Sequence, residues 1–227
     1  MTGKIKTLIR ATMRFKRNQL EDGIWATFPP PDLSHSEFLV RIKRILETDR
    51  GFDQLIRPTP AAQRAKYAFF SGAPPGSGAE VRFSSYEVFA VLTALRLQEH
   101  GFPKARTVEI LRLVRSKLEN EHKWILEQDP AAIVGDAAPR KMPRAGSPAF
   151  ASRNPVFLVV ATGGHSAKDR AAAPRACGIC RGEEEVGRFR KAVGADSWTM
   201  FELTTAALQL AQNLIKTEPR SRGRGAG

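Results

Sequence analysis

Two cysteines three positions apart, Cys177 and Cys180 in the run Cys-Gly-Ile-Cys, are the residues of this chain best suited to metal or redox chemistry. A structural zinc site needs four ligands. The histidines are His35, His100, His122 and His165, and only His165 lies near the cysteines in sequence. None belongs to the closely spaced His pair of a zinc finger. A site shared between two copies of the chain, two thiolates from each, would complete the set. A redox dithiol would want the pair at a helix N-terminus, where the dipole lowers a thiol pKa. Here Glu183, Glu184 and Glu185 follow and oppose thiolate formation. Cys177 and Cys180 therefore stand as weak metal candidates, with incidental thiols the simpler expectation. No cofactor is expected, and two cysteines cannot make a disulfide framework.

Other local catalytic signatures are missing. There is no G-x-x-x-x-G-K-[ST], no G-x-G-x-x-G after a strand, no H-E-x-x-H and no G-x-S-x-G. Val159 to His165 is an apolar run passing into Gly163-Gly164, a shape that could approach a phosphate, but no Lys follows directly. No catalytic residue is expected. An enzyme whose site is assembled across the fold stays open, because such a site leaves no local trace.

Charge is the stronger signal. The 227 residues hold 36 Lys plus Arg against 23 Asp plus Glu, a net charge of +13, with a pI near 10.3. Such a balance points to a polyanionic partner, nucleic acid before an anionic membrane surface. Residues 1–20 carry Lys4, Lys6, Arg10, Arg14, Lys16 and Arg17 and no acid, and residues 219–227 carry Arg220, Arg222 and Arg224. The two ends thus hold +9 of the +13. The middle is nearly balanced, as in a folded body with basic extremities. No stretch reaches the ~18 apolar residues of a membrane span. The basic N-terminus lacks the apolar run and small-residue cleavage site of a secretory signal, so a cytoplasmic protein is expected.

Periodicity places the elements. Residues 4–20 read as an amphipathic helix, with Ile5, Leu8 and Ile9 on one stripe and Lys6, Arg10, Arg14 and Arg17 on the other. It could be an arm along phosphates, a helix on an anionic membrane or an ordinary surface helix. Ser34 and Glu37 form a capping box before Phe38, Ile42, Ile45 and Leu46, and Gly51 is the stop. Residues 60–70 read as a short helix and residues 71–78 as a Gly/Pro/Ser loop. Val81-Arg82-Phe83 alternates like a short strand. Ser84 and Glu87 make a second capping box for a helix over 85–99. Gly101 and Pro103 then join it to a helix reaching about 128, an antiparallel hairpin. Beyond the Pro-containing stretch, Pro155 to Val160 reads as a strand and 165–181 as a flexible polar segment. Glu183 to Ala192 reads as a helix, Trp198 to Leu203 as a strand and Thr204 to Lys216 as a closing helix. The small residues of that last helix suit packing either on its own copy or on the strand in the same chain. No internal repeat is legible.

The expected fold class is mainly α in the N-terminal part and a small α+β unit in the C-terminal part. The expected organisation is a basic helix or arm over 1–28 and a helical unit over 33–128. A Pro/Ala-rich linker over 129–153, a small α+β domain over 154–216 and a basic disordered tail over 217–227 follow.

From Arg64 the chain reads a basic and aromatic helix end, a Gly/Pro loop, a short strand and two helices. The residues that mark this order are Arg82-Phe83, the helix opening at Ser84, Leu97-Gln98-Glu99-His100-Gly101-Phe102, and Ile110-Leu111. It resembles the MerR-type winged helix-turn-helix regulators. The resemblance implies DNA binding as a homodimer, with a C-terminal half for sensing or dimerisation. On this reading Arg64, Lys66 and Arg82 meet phosphates or groove edges, and Arg10, Arg14 and Arg17 follow the backbone. The expected function is a DNA-binding transcriptional regulator whose partner is duplex DNA. The alternative is an adaptor that binds RNA or an acidic protein through its basic ends. A helical body whose charges are merely solvated is the plain reading of the same residues.

Overall fold

The computed structural model describes residues 13–52, 65–74, 80–128, 154–164, 166–172 and 174–220. In chain order these form β1 (Arg14–Lys16), α1 (Arg17–Thr27), α2 (His35–Arg50), β2 (Arg82–Ser84), α3 (Ser85–Glu99) and α4 (Lys104–Glu127). Then come β3 (Val156–Thr162), α5 (Ala167–Ala171), β4 (Ala176–Arg181), α6 (Gly182–Val193), β5 (Ser197–Glu202) and α7 (Thr204–Ile215). Helices dominate the N-terminal part and strands gather in the C-terminal part, as composition and periodicity led one to expect.

Residues 88–95 are buried one after another, so α3 is covered on all sides and lies at the centre of the molecule. Both capping boxes form. Ser34 and Ser84 accept from the backbone N–H of Glu37 and Glu87, whose carboxylates accept from the Ser34 and Ser84 N–H in return. Gly101 turns the chain at a φ of 83°, a value that suits glycine, and Pro103 caps α4 from just outside. β3 is buried at all seven positions because it lies between two antiparallel neighbours, in the order β4-β3-β5, with both faces covered. Leu158, Val160, Ile179 and Phe201 join the helices in one core, whereas Phe157, Val159 and Cys180 meet Val186 of α6 on the other side. The main core runs without interruption from Phe15 to Leu214, so the helical part and the α+β part share it.

Four local expectations need correction. The helix expected over 4–20 begins only at Arg17 and runs on to Thr27, because Arg14, Phe15 and Lys16 pair with β2 instead. The stretch 1–12 lies outside the described residues. Residues 65–70 are not helical: Ala68 and Phe69 turn their N–H groups to the Asp49 carboxylate, and the Tyr67 and Phe70 carbonyls accept from Arg115. The segment 165–181 holds α5, capped by Ser166 and Asp169, and the paired strand β4. Residues 217–220 of the expected tail are also held. The Thr217 and Glu218 carbonyls accept from Gln19 and Asn18, and Arg220 pairs with Asp22 at 3.0 Å.

Two contacts tie the elements together. Arg112 of α4 and Asp49 of α2 are almost wholly buried and meet at 2.8 Å, with a second guanidinium nitrogen on the Asp49 carbonyl. The apolar side of α7 is spent within the chain, chiefly against α1, not on a second copy. The two helices approach closely at Gly23, where an added Cβ would lie 2.6 Å from Cδ2 of the buried Leu214.

D49A removes the buried carboxylate that Arg112 pairs with and should cost about 3–5 kcal/mol of stability, read by urea denaturation. G23A should destabilise by about 1–3 kcal/mol despite Ala's better helix propensity. In an L214A background the same change should become neutral or favourable, a coupling that a double-mutant cycle measures.

Candidate nucleic-acid interface

β1 and β2 form a two-stranded antiparallel ribbon in which Phe15 faces Phe83, Lys16 faces Arg82 and Arg14 faces Ser84. Both phenylalanines are buried. Strand alternation therefore sets Arg14, Lys16 and Arg82 on the opposite, outer side. Each strand runs straight into a helix, and each helix is capped from its third residue. Gln19 Oε1 accepts from Lys16 N–H as Glu87 does from Ser84. Arg-Phe-Lys-x-x-Gln at 14–19 and Arg-Phe-Ser-x-x-Glu at 82–87 are thus the same strand, cap and helix, related by a local twofold through the Phe15–Phe83 pair.

Like charges directly across a ribbon repel. Glu80 relieves that repulsion, lying 2.8 Å from Lys16 Nζ and 3.1 Å from Arg82. Those hydrogen bonds, Lys16 first, hold its carboxyl below the usual carboxylate range. Arg14 meets Glu87 Oε2 at 3.4 Å, and Arg17 meets Glu21 at 2.5 Å one turn along α1. Arg14 and Arg82 remain about half exposed, at 47% and 57%, so their guanidiniums can exchange a carboxylate for another anion.

The candidate cations are thus partly gathered. Arg14, Arg17 and Arg82 belong to the ribbon and the helix start beside it. Lys66 is exposed on a separate segment, its ammonium 5.6 Å from the Tyr67 ring centre. Arg10 and Arg64 lie outside the described residues. Lys16 counted only toward the charge of the N-terminal stretch and was not singled out as a contact, and Glu80 went unnoticed in the sequence. The repeated Arg-Phe start was the available signal, but six positions sixty-eight residues apart are too short to register as a repeat. The body also brings residues 217–220 beside the start of α1, just after the ribbon's first strand.

The metal candidates fare differently. Cys177 and Cys180 are both on β4, three residues apart, and so face opposite sides of the sheet. Cys177 packs toward the main core and Cys180 among Phe157, Val159 and Val186. Burial pushes the Cys177 thiol up to about 12 and the Cys180 thiol up to about 11, so neither supplies a thiolate at neutral pH. The pair cannot share one ion, and no cluster of three or more potential ligands occurs among the described residues. Three histidines serve as aromatic packing instead. His35 stands edge-on to Trp25, His100 to Phe201, and His122 is stacked 4.7 Å from Phe89. His165 lies outside the described residues. No described helix is long and apolar enough to cross a membrane. Comparison with family models, curated proteins and solved structures finds no match to the chain.

His122 gives a pH dependence of known sign. Burial pushes its pKa down from 6.5 to about 3. Between those values the unfolded chain takes up a proton that the folded chain refuses. The stability it contributes is therefore complete above about pH 6.5 and lost progressively as pH falls toward 3. In urea titrations at about pH 7 and about pH 5, wild type should lose more stability than H122F. Equal losses would remove His122 as the cause.

Proposed function

We propose that the protein binds duplex DNA through the outer side of the β1–β2 ribbon, as a cytoplasmic regulator of the winged helix kind that the sequence resembles. The observation that carries this reading is the placement of Arg14, Lys16 and Arg82 on one side of a two-stranded ribbon. A two-stranded ribbon fits the major groove of B-DNA, and the deep, narrow major groove of an A-form RNA helix excludes it. Cations on such a ribbon gain affinity by releasing the counterions condensed on the duplex. The cations of residues 1–12 precede β1 in sequence, and those of residues 221–227 follow Arg220, which pairs with Asp22 of α1. They add a sequence-independent contact of the same sign. The homodimer that the resemblance implies belongs to this proposal too. Light scattering tests it directly.

A second reading has one observation in its favour. Arg14, Arg17 and Arg82 each already face a carboxylate. A surface so balanced suits a protein partner, for which the basic ends would be the contact.

Anisotropy titrations against duplex DNA, single-stranded DNA and RNA between 50 and 200 mM salt separate the two, with flanking slopes of about −0.9 per neutralised phosphate on duplex. The duplex should bind tightest. The R14Q/K16Q/R82Q variant should flatten the slope by about two to three units, and E80Q should tighten binding. Preference for single strands or RNA, or a slope the triple variant leaves unchanged, would move the reading to the adaptor.

A further inference from the structure

On its buried side the ribbon helps to form a cleft of about 290 Å³, closed by one stripe of α2 and the start of α1. Lys43, Leu46, Glu47 and Arg50 are spaced three and four residues apart, so a single helical stripe supplies them. The floor is apolar: Leu46 and Phe83 are 4% and 1% exposed, and Val81 lies beside them. The rim is cationic. Arg17, Lys43 and Arg50 stand there beside Glu47, which lies 3.9 Å from Lys43, while Arg17 also meets Glu21 at 2.5 Å. Arg50 meets no carboxylate within pairing distance among the described residues, and its guanidinium lies 5.4 Å from the Phe70 ring centre.

An inorganic ion would leave this floor wet, and a neutral apolar molecule would leave the rim unsatisfied. We propose that the cleft binds a small organic anion, a carboxylate or phosphate monoester on an aromatic or branched apolar body. Its headgroup meets the Arg50 and Arg17 guanidiniums, which favour such oxygens through paired N–H donors. Its body lies on Leu46, Val81 and Phe83. The volume is near the lower bound of small-molecule sites, roughly 300 Å³, so the ligand is the size of a two-ring aromatic or smaller. The proposal does not depend on nucleic-acid binding. The cleft opens on the side of the ribbon that carries Val81 and Phe83, away from Arg82.

Calorimetry and fluorescence on the full chain test it with four probes: 1-naphthoate, 1-naphthyl phosphate, inorganic phosphate and neutral 1-naphthamide. At least one naphthyl anion should saturate a single site, and the tighter of the two identifies the headgroup. Inorganic phosphate and naphthamide should bind about tenfold or more weakly than that anion. R50Q should weaken the anion about fivefold to tenfold, while E47Q should tighten it by about twofold to fivefold, with thermal melts checking that both fold. Naphthamide binding as tightly as the anions, no saturable binding by either anion, or indifference to both substitutions would overturn it.

Discussion

A guanidinium and a carboxylate buried together at Asp49 and Arg112 set the terms for the rest of the molecule. Neither group tolerates burial without its partner, and neither partner satisfies the other completely. Arg112 spends further donors on the Asp49 carbonyl, and the carboxylate takes the N–H groups of Ala68 and Phe69. Residues 65–70 are thereby drawn out of any helix and pressed onto α4. Arg115 continues the line by donating to the Tyr67 and Phe70 carbonyls. Ser71 then reaches Glu87, and Glu87 also receives Ser84 N–H and Arg14. One polar path thus runs from the middle of the helical core to the ribbon, and the cations on the ribbon inherit their placement from it.

The ribbon itself rests on a simple symmetry. Each strand has three residues, the middle one a phenylalanine turned inward, and each ends in a cap that starts a helix. Three residues alone would make a feeble strand pair. Here the burial of Phe15 and Phe83 and the two helices that follow hold the pairing. That arrangement leaves the outer positions free of any packing duty, and they carry Arg14, Lys16 and Arg82.

Much of this was legible residue by residue. The serine caps at Ser34 and Ser84, the apolar stripes after them, the Gly101 turn and the apolar run before Gly163 all sit where local chemistry puts them. Local chemistry failed where a distant group won. Arg14 to Lys16 keep a helical pattern of charges, yet a strand sixty-eight residues away claims their backbone. Residues 65–70 have helix-compatible side chains, yet Asp49 and Arg115 claim their N–H and carbonyl groups. Cys177 and Cys180 looked like one site because they are close along the chain, and a strand's alternation parts them. Of the candidate interface, the charges were legible. The surface they make was not, since it depends on strand register and on Glu80, neither of which leaves a periodic trace.

The pairing of α1 with α7 bears on how the chain is made. Leu20 and Ile24 are fully buried, and the helix packed most extensively over them begins nearly two hundred residues later. A ribosome adding 5–20 residues per second needs roughly 10–40 s to reach it. Through that interval the apolar stripe of α1 lacks its main cover. Full burial of Leu20 and Ile24 therefore waits on α7, and a nascent chain stalled short of Leu214 would display that greasy stripe to chaperones.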